Sequence, residues 1–208
     1  MEWMYVLYML LMMAFAATLR LICCFNWTKT DTRFRFKKIL DVLVSLFIYI
    51  FVVFSHYASL DQSKLFFWSS IATAVCAFYV LFGFYLNQIA SFSTVPDKAI
   101  RGKNFVYILV SLFFALVSAG SILNYVSYMI WPDFYNVPDC LDFAEIAFEF
   151  FYYTFTLIIT YSGTSINAVH SISKIIQIVE ICVFYVVFGV SFMELVVKAK
   201  NAVSFSQE

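Results

Sequence analysis

The chain is poor in the residues that cover the surface of a soluble protein. Only 12% of its 208 residues are charged, whereas 63% are hydrophobic, and the mean hydropathy is +0.88. A soluble domain of this length needs a larger polar share. The hydrophobic residues come in blocks of about 20, the length that a helix needs to cross a bilayer. The sequence therefore predicts an all-α integral membrane protein.

Net charge, glycine and histidine are also scarce, and each shortage argues against a class of function. Thirteen basic residues balance thirteen acidic ones, which argues against direct binding of nucleic acid. The chain has five glycines and no phosphate-binding glycine loop. His56 and His170 have no acidic residue or cysteine at ligand spacing, and the five cysteines are not spaced as metal ligands. We predict neither an enzyme nor a cofactor or metal site.

Five apolar segments are long enough to be membrane helices. A sixth stretch, Leu141–Ile159, is shorter and contains three acidic residues, which would be costly in lipid. We interpret it as a re-entrant segment shielded by protein. The five predicted spans are Met4–Phe25, Ile39–Tyr57, Leu65–Leu86, Phe105–Ile130 and Ile175–Val197.

Basic residues outside the spans predict the orientation. Residues 26–38, residues 90–104 and the tail after Val197 are rich in lysine and arginine, and the positive-inside rule makes all three cytoplasmic. The loop after Trp131 is acidic. We predict a multi-pass protein of the bacterial inner membrane, with the N-terminus outside and the C-terminus cytoplasmic.

Phe151–Ile166 lies between the last two spans and reads FYYTFTLIITYSGTSI. With its neighbours it gives the order outer helix, acidic turn, aromatic helix with threonines, Ser-Gly-Thr-Ser stretch and inner helix. This order and spacing resemble the pore domain of tetrameric potassium channels. The resemblance covers residues 105–197, and it implies a homotetramer because one chain supplies only one pore helix. Residues 1–104 then form a three-helix membrane region, and residues 198–208 form a short cytoplasmic tail.

The filter-like stretch departs from the family's T-x-G-Y-G pattern. The two filter glycines fall on Ser162 and Thr164, the tyrosine falls on Gly163, and Ser165 replaces the supporting aspartate. Glycine tolerates the alternating backbone angles that aim filter carbonyls at the axis, whereas a β-branched threonine does not. We therefore expect a pore that does not select potassium, although a plain helix–turn–helix is the alternative. The filter-like residues are Thr160, Tyr161, Ser162, Gly163, Thr164 and Ser165.

Three acidic residues precede the filter-like stretch. Glu145 and Glu149 are four residues apart and so share a helix face, with Asp142 just before them. In a tetramer they would form an acidic ring at the outer mouth, which attracts cations without discriminating among them. The alternative is that they face water in the headgroup region.

Several polar or small residues lie inside the last two spans. Glu180 is about two turns into the last span, deeper than a bare carboxylate tolerates in lipid, so we expect it to face protein or a water-filled vestibule. Lys174 is a candidate neighbour. Asn124 and Ser127 are candidates for hydrogen bonds between helices. Gly189 is a candidate hinge of the inner helix, or alternatively a packing contact.

The first cytoplasmic stretch interleaves aromatic and basic residues. This pattern predicts a docking surface for a separate cytoplasmic protein, and the simpler interpretation is positive-inside flanking with lipid contact. Asp41 is close in sequence and is predicted to belong to the same interface. The docking residues are Trp27, Arg33, Phe34, Arg35, Phe36, Lys37 and Lys38.

Two functions fit these features. The first is an oligomeric cation pore that is non-selective or gated. The second is a non-conducting sensor or scaffold that recruits a cytoplasmic partner. In size, multiple spans and lack of soluble domains, the chain also resembles the small membrane subunit of the Kiwa anti-phage defence system, which implies the second role. A small transporter would need intramembrane charged pairs or inverted repeats, and neither is evident.

Overall fold

The computed structural model of the chain describes residues 31–57, 64–92, 103–159 and 163–204. These residues form five α-helices, one short 3-10 helix and one two-stranded sheet. The predicted first span lies outside the described residues. The helices are α1 (Asp31–Tyr57), α2 (Lys64–Phe92), α3 (Lys103–Ile130), α4 (Phe143–Ile158) and α5 (Ser171–Ser204); the 3-10 helix is Pro132–Phe134, and the strands are β1 (Tyr135–Asn136) and β2 (Asn167–Ala168).

Helices dominate the structure, and three of them in the described residues are long and apolar enough to cross a membrane. Their apolar portions are Arg35–Tyr57 in α1, Val106–Ile130 in α3 and Ser171–Val190 in α5. The apolar portion found in α2, Phe67–Leu81, is shorter. The coarse prediction of a helical protein that associates with a membrane is therefore supported.

Helix α1 begins earlier than the predicted second span. Residues 31–38 were expected to belong to a cytoplasmic loop, but they continue the helix without a break from Asp31. Arginine and lysine are good helix formers, and this stretch has neither glycine nor proline to end a helix. The positive-inside rule predicts on which side such residues lie, and it does not distinguish a loop from a helix end.

Helix α3 is the centre of the described structure, because it packs against α1, α2, α4 and α5. Its faces are built from small and hydroxylated side chains as well as aliphatic ones. Ser111 and Ser121 are buried and donate to backbone carbonyls of their own helix, at 2.9 and 2.7 Å. Small residues of this kind let helices approach closely within a membrane.

The segment between α3 and α5 begins and ends at neighbouring positions in the structure. β1 follows the end of α3, β2 precedes α5, and the two strands pair antiparallel with Tyr135 opposite Ala168. The hydroxyl of Ser173, in the first turn of α5, also donates to the carbonyl of Phe134 at 2.7 Å. Helix α4 therefore belongs to an excursion whose two ends are held side by side.

Helix α4 runs back along α3 from that clasp. Its last residue, Ile158, packs with Val117 of α3 and Phe184 of α5. Val117 lies 13 residues before Ile130, and Phe184 lies 13 residues after Ser171 (130 − 117 and 184 − 171). At 1.5 Å per residue both are about 20 Å along their helices from the clasp. The C-terminal end of α4 therefore reaches deep between the two longer helices.

Candidate polar site between three helices

Asn124 joins three helices through its side-chain amide. Its Nδ2 donates to both carboxylate oxygens of Glu180 on α5, at 3.0 and 2.9 Å. The same nitrogen lies 3.1 Å from Oγ1 of Thr154 on α4. Its Oδ1 accepts from the hydroxyl of Tyr135 at 2.7 Å. Asn124 is fully buried; its bonds to Thr154 and Tyr135 are buried, and its bonds to Glu180 are partly buried.

The helices place these groups at similar depths. Asn124 lies six residues before the end of α3, and Glu180 nine residues after the start of α5 (130 − 124 and 180 − 171). These spacings correspond to about 9 and 14 Å along the two helices. Thr154 donates to the carbonyl of Phe150 at 3.1 Å, which leaves its oxygen free to accept from Asn124.

Gly120 leaves the space that this arrangement needs. A Cβ atom added there would lie 2.8 Å from Cγ2 of Thr154 and 3.1 Å from Oε1 of Glu180. The first distance is shorter than real Cβ contacts allow. The glycine therefore permits α4 and α5 to approach α3 together at the level of the polar site.

Tyr135 fixes the direction of the Asn124 amide. The side chain is buried, and burial, followed by the nearby charge of Glu180, raises the pKa of the Tyr135 phenol above its ordinary value. The hydroxyl therefore stays protonated and donates a hydrogen bond to Oδ1 of Asn124. The Nδ2 group is then turned toward Glu180 and Thr154.

The charge of Glu180 has no cationic partner in the described part of the chain, where no lysine or arginine nitrogen lies within 4 Å of its carboxylate. Lys174, the predicted neighbour, is exposed and makes no ion pair with it. Tyr153 is a further polar group close by. It is only 5% exposed, its hydroxyl has no hydrogen-bond partner among the described residues, and its ring packs against that of Tyr135.

The predicted outer acidic residues have local structural roles. Asp142 is the N-cap of α4 and accepts from the backbone N–H of Glu145 at 2.8 Å. The Glu145 carboxylate accepts in turn from the backbone N–H of Asp142 at 3.0 Å, which completes a capping box. Both side chains remain exposed. Glu149 lies further along α4 and accepts from the Ser165 hydroxyl at 2.8 Å.

Half of the filter-like stretch can be located. Thr160, Tyr161 and Ser162 lie outside the described residues, and Gly163, Thr164 and Ser165 follow without helical structure. Gly163 is exposed, and the Thr164 hydroxyl donates to the carbonyl of Ile166 at 2.8 Å. The bond from Ser165 to Glu149 ties this segment to α4.

Gly189 differs from Gly120 in its surroundings. A Cβ atom added at Gly189 would meet nothing within 4 Å, so no described neighbour packs closely against it. A tight packing contact at Gly189 is therefore absent from the described structure, and its predicted role as a hinge stays a prediction.

The predicted docking residues lie in or before the first turns of α1. Trp27 lies outside the described residues, and Arg33 and Phe34 are part of the helix. Phe36 is 63% exposed, which leaves most of its ring available for contact. Arg35 and Lys37 are half-buried.

Lys38 lies apart from this group because it points into the structure. It is buried, and its Nζ lies 3.2 Å from Oδ2 of Asp41, which is fully buried. Asp41 was predicted to belong to the basic interface, and its contact with that interface is this buried ion pair with Lys38. Lys38 is consequently a poor candidate for direct contact with a partner.

Four members of the polar site were missed by sequence reasoning. Asn124 was singled out for interhelical hydrogen bonds and Glu180 for a protein-facing position, but Gly120, Tyr135, Tyr153 and Thr154 were given no part beside them. Thr154 and Glu180 are 30 and 56 residues from Asn124, so no local spacing connects them.

Comparison with known protein families, with curated proteins and with solved structures finds no match to this chain.

Proposed function

We propose that the protein is an oligomeric membrane protein of channel-like architecture, in which α4 and the segment after it form a re-entrant loop beside a shared axis. The observation that carries the proposal is the pairing of β1 with β2 around α4, which runs back along α3 from that clasp. Helix α4 has 16 residues and is about 24 Å long, which is too short to cross a bilayer. Because the chain comes back to its starting point at the β1–β2 pair, a re-entrant path fits this segment.

The contact between Ser165 and Glu149 supports a cation-conducting role. It brings a carboxylate on α4 to Ser165, in the non-helical segment that begins at the exposed Gly163. A ring of such carboxylates in an oligomer would attract cations. Without the filter glycines of the potassium-channel family, the pore would select poorly among different cations. The proposed activity is therefore a non-selective or gated cation pore.

The exposure of α5 supports assembly. In the described chain only 12% of its most apolar window is buried, against 50% for α1 and α3. Helix α5 therefore has a long face available to other subunits as well as to lipid. We propose a homotetramer, the number implied by the resemblance to channel pore domains, in a bacterial inner membrane with the N-terminus outside.

The test combines subunit number with ion flux. The full chain is purified in mild detergent, its mass is measured by native mass spectrometry, and cation flux is recorded in liposomes. We expect a tetramer whose cation-over-anion preference falls in Glu149→Gln and whose flux is lost in Gly163→Asp. Asp139→Asn, an exposed acidic residue in the turn before α4, is the matched control and is expected to leave both unchanged. A monomer, or flux that neither Glu149→Gln nor Gly163→Asp changes, would refute the pore.

A second candidate function is a non-conducting sensor or scaffold that recruits a cytoplasmic partner, as in the Kiwa-like reading with its antiviral role. The observation that favours it is Phe36, whose large apolar ring is 63% exposed between the basic residues Arg35 and Lys37. Under this hypothesis Gly163→Asp is silent. Phe36→Ser combined with Lys37→Glu would instead abolish co-purification of a cytoplasmic protein from the native host.

A further inference from the structure

The polar site has an unbalanced negative charge inside a membrane-spanning helix. Glu180 lies in the apolar portion of α5, and its carboxylate meets the neutral amide of Asn124 on both oxygens. Neutral donors offset part of the cost of burying a charge, but they do not neutralise it. Ionisable groups at such depth in membrane proteins commonly mark the path or binding site of an ion.

The hydroxyl of Tyr153 is an independent sign of a ligand at this place. The side chain is 95% buried and has no hydrogen-bond partner in the described part of the chain. Its ring packs edge-on against Tyr135, with centroids 6.1 Å apart, and it directly precedes Thr154; both Tyr135 and Thr154 are hydrogen-bonded to the Asn124 amide that meets Glu180. A buried hydroxyl without a hydrogen-bond partner is costly, so an occupant to which this oxygen could bind would offset that cost.

The available atoms indicate the chemistry of the occupant. The site offers carboxylate oxygens from Glu180 and a phenolic oxygen from Tyr153, together with the hydroxyl oxygen of Thr154. Hard cations prefer oxygen ligands, and a proton would also neutralise the carboxylate. No thiol or imidazole belongs to the cluster, which argues against a soft metal.

We propose that Glu180 and Tyr153 form an intramembrane binding site for a small monovalent cation, either an alkali-metal ion or a proton, that ties α5 to α3 and α4. The bound cation neutralises the carboxylate while Asn124 holds it in place. The inference concerns a single chain, so it does not depend on whether the protein assembles into a pore.

Other ionisable groups lie on the elements around Glu180, and they must be considered when a bound metal ion is distinguished from a bound proton. The other described carboxyl groups on the elements that pack against α5 are Asp133 on the 3-10 helix and Glu145 and Glu149 on α4, and Glu149 is bonded to Ser165 instead of Glu180. The remaining ionisable side chains described on these elements are Tyr135 on β1, Tyr152 and Tyr153 on α4, Tyr107, Tyr125 and Tyr128 on α3, Lys174, Cys182 and Tyr185 on α5, and Cys76 and Tyr79 on α2.

The test follows thermal unfolding of the full chain in detergent micelles by tryptophan fluorescence. In the metal arm, Na⁺ or K⁺ replaces choline at constant ionic strength. A tenfold excess over the dissociation constant is expected to raise the midpoint by roughly 3–6 °C. In the proton arm, the pH is varied from 8 to 5 in choline alone. A native state that binds a proton which the unfolded chain releases becomes more stable as the pH falls, so the midpoint would rise.

Two variants and two controls decide the outcome. Glu180→Gln keeps the shape and should abolish the cation dependence. Tyr153→Phe removes a single oxygen and should raise the half-saturating cation concentration about tenfold. Asp139→Asn, and Asp133→Asn in the proton arm, should respond like the unmodified protein, because both side chains are exposed and outside the site. The proposal is overturned if the unmodified midpoint ignores Na⁺, K⁺ and pH alike. It is equally overturned if Glu180→Gln, or Tyr153→Phe where the former does not fold, responds as the unmodified protein does.

Discussion

Replacing Asn124 with leucine tests whether the polar site holds the helices together. The substitution removes both donors to the Glu180 carboxylate and the acceptor of the Tyr135 hydroxyl. Hydrogen bonds to charged groups contribute about 1.5–3 kcal/mol, and a buried group left without a partner costs about 1–3 kcal/mol. Interhelical hydrogen bonds measured in membrane proteins are weaker, at most about 1.7 kcal/mol. We expect Asn124→Leu to lower the free energy of unfolding by about 3 kcal/mol.

The sharper result comes from combining Asn124→Leu with Glu180→Leu. Removing both partners leaves no unpaired carboxylate, so the double variant should be more stable than the sum of the single losses by about 2 kcal/mol. The measurement is reversible unfolding in mixed detergent micelles, followed by far-UV circular dichroism. Ser121→Ala is the matched control, because that buried hydroxyl bonds only a carbonyl of its own helix and should cost less than about 1 kcal/mol. Strictly additive losses would show that the two side chains do not interact and would refute the site.

Three further substitutions test other parts of the structure by the same unfolding assay. Gly120→Ala should destabilise the protein by about 1–3 kcal/mol, because the new methyl group overlaps its neighbours. Gly189→Ala adds a methyl group that meets no neighbour, so stability should be unchanged or increase by up to about 1 kcal/mol. Equal effects of the two substitutions would contradict the close approach of α4 and α5 to α3 at Gly120. Asp142→Ala removes the N-cap of α4 and should cost about 1 kcal/mol, with faster hydrogen exchange confined to its first turn. Lys38→Met removes the ion pair between Lys38 and the buried Asp41 and should cost about 3 kcal/mol, while Lys38→Arg should retain most of the stability; the same loss in both variants would contradict the ion pair.

Hydrophobic length predicted the positions of the described helices well. The span predicted as Phe105–Ile130 lies within α3, which begins two residues earlier, and the short segment Leu141–Ile159 contains α4. Both predictions depend on where apolar residues start and stop along the chain, which is local information. Charged residues gave a weaker guide to secondary structure, as the helical start of α1 at Asp31 demonstrates.

The candidate site could be predicted only in part. Asn124 and Glu180 stood out because polar groups are rare and costly in membrane spans, which is a property of each residue alone. Their pairing depends on how α3 and α5 rotate against each other, and a 56-residue separation gives no periodicity from which to read it. Tyr153 was hidden for a different reason. In an aromatic-rich chain a buried tyrosine looks like packing, and only its unpartnered hydroxyl reveals more.

The strand pairing between β1 and β2 has a practical consequence for handling the protein. Because Tyr135 meets Ala168 before α5 begins, the intervening chain is closed on itself, and added length there is not transmitted to the long helices. The entropy of closing a loop grows slowly, by about 0.6 kcal/mol for each doubling of its length. The exposed turn at Asp139 and Cys140 should therefore accept a peptide epitope or a thiol-reactive probe without unfolding the chain. A membrane-impermeant probe at Cys140 would then report which side of the bilayer this end of the molecule faces.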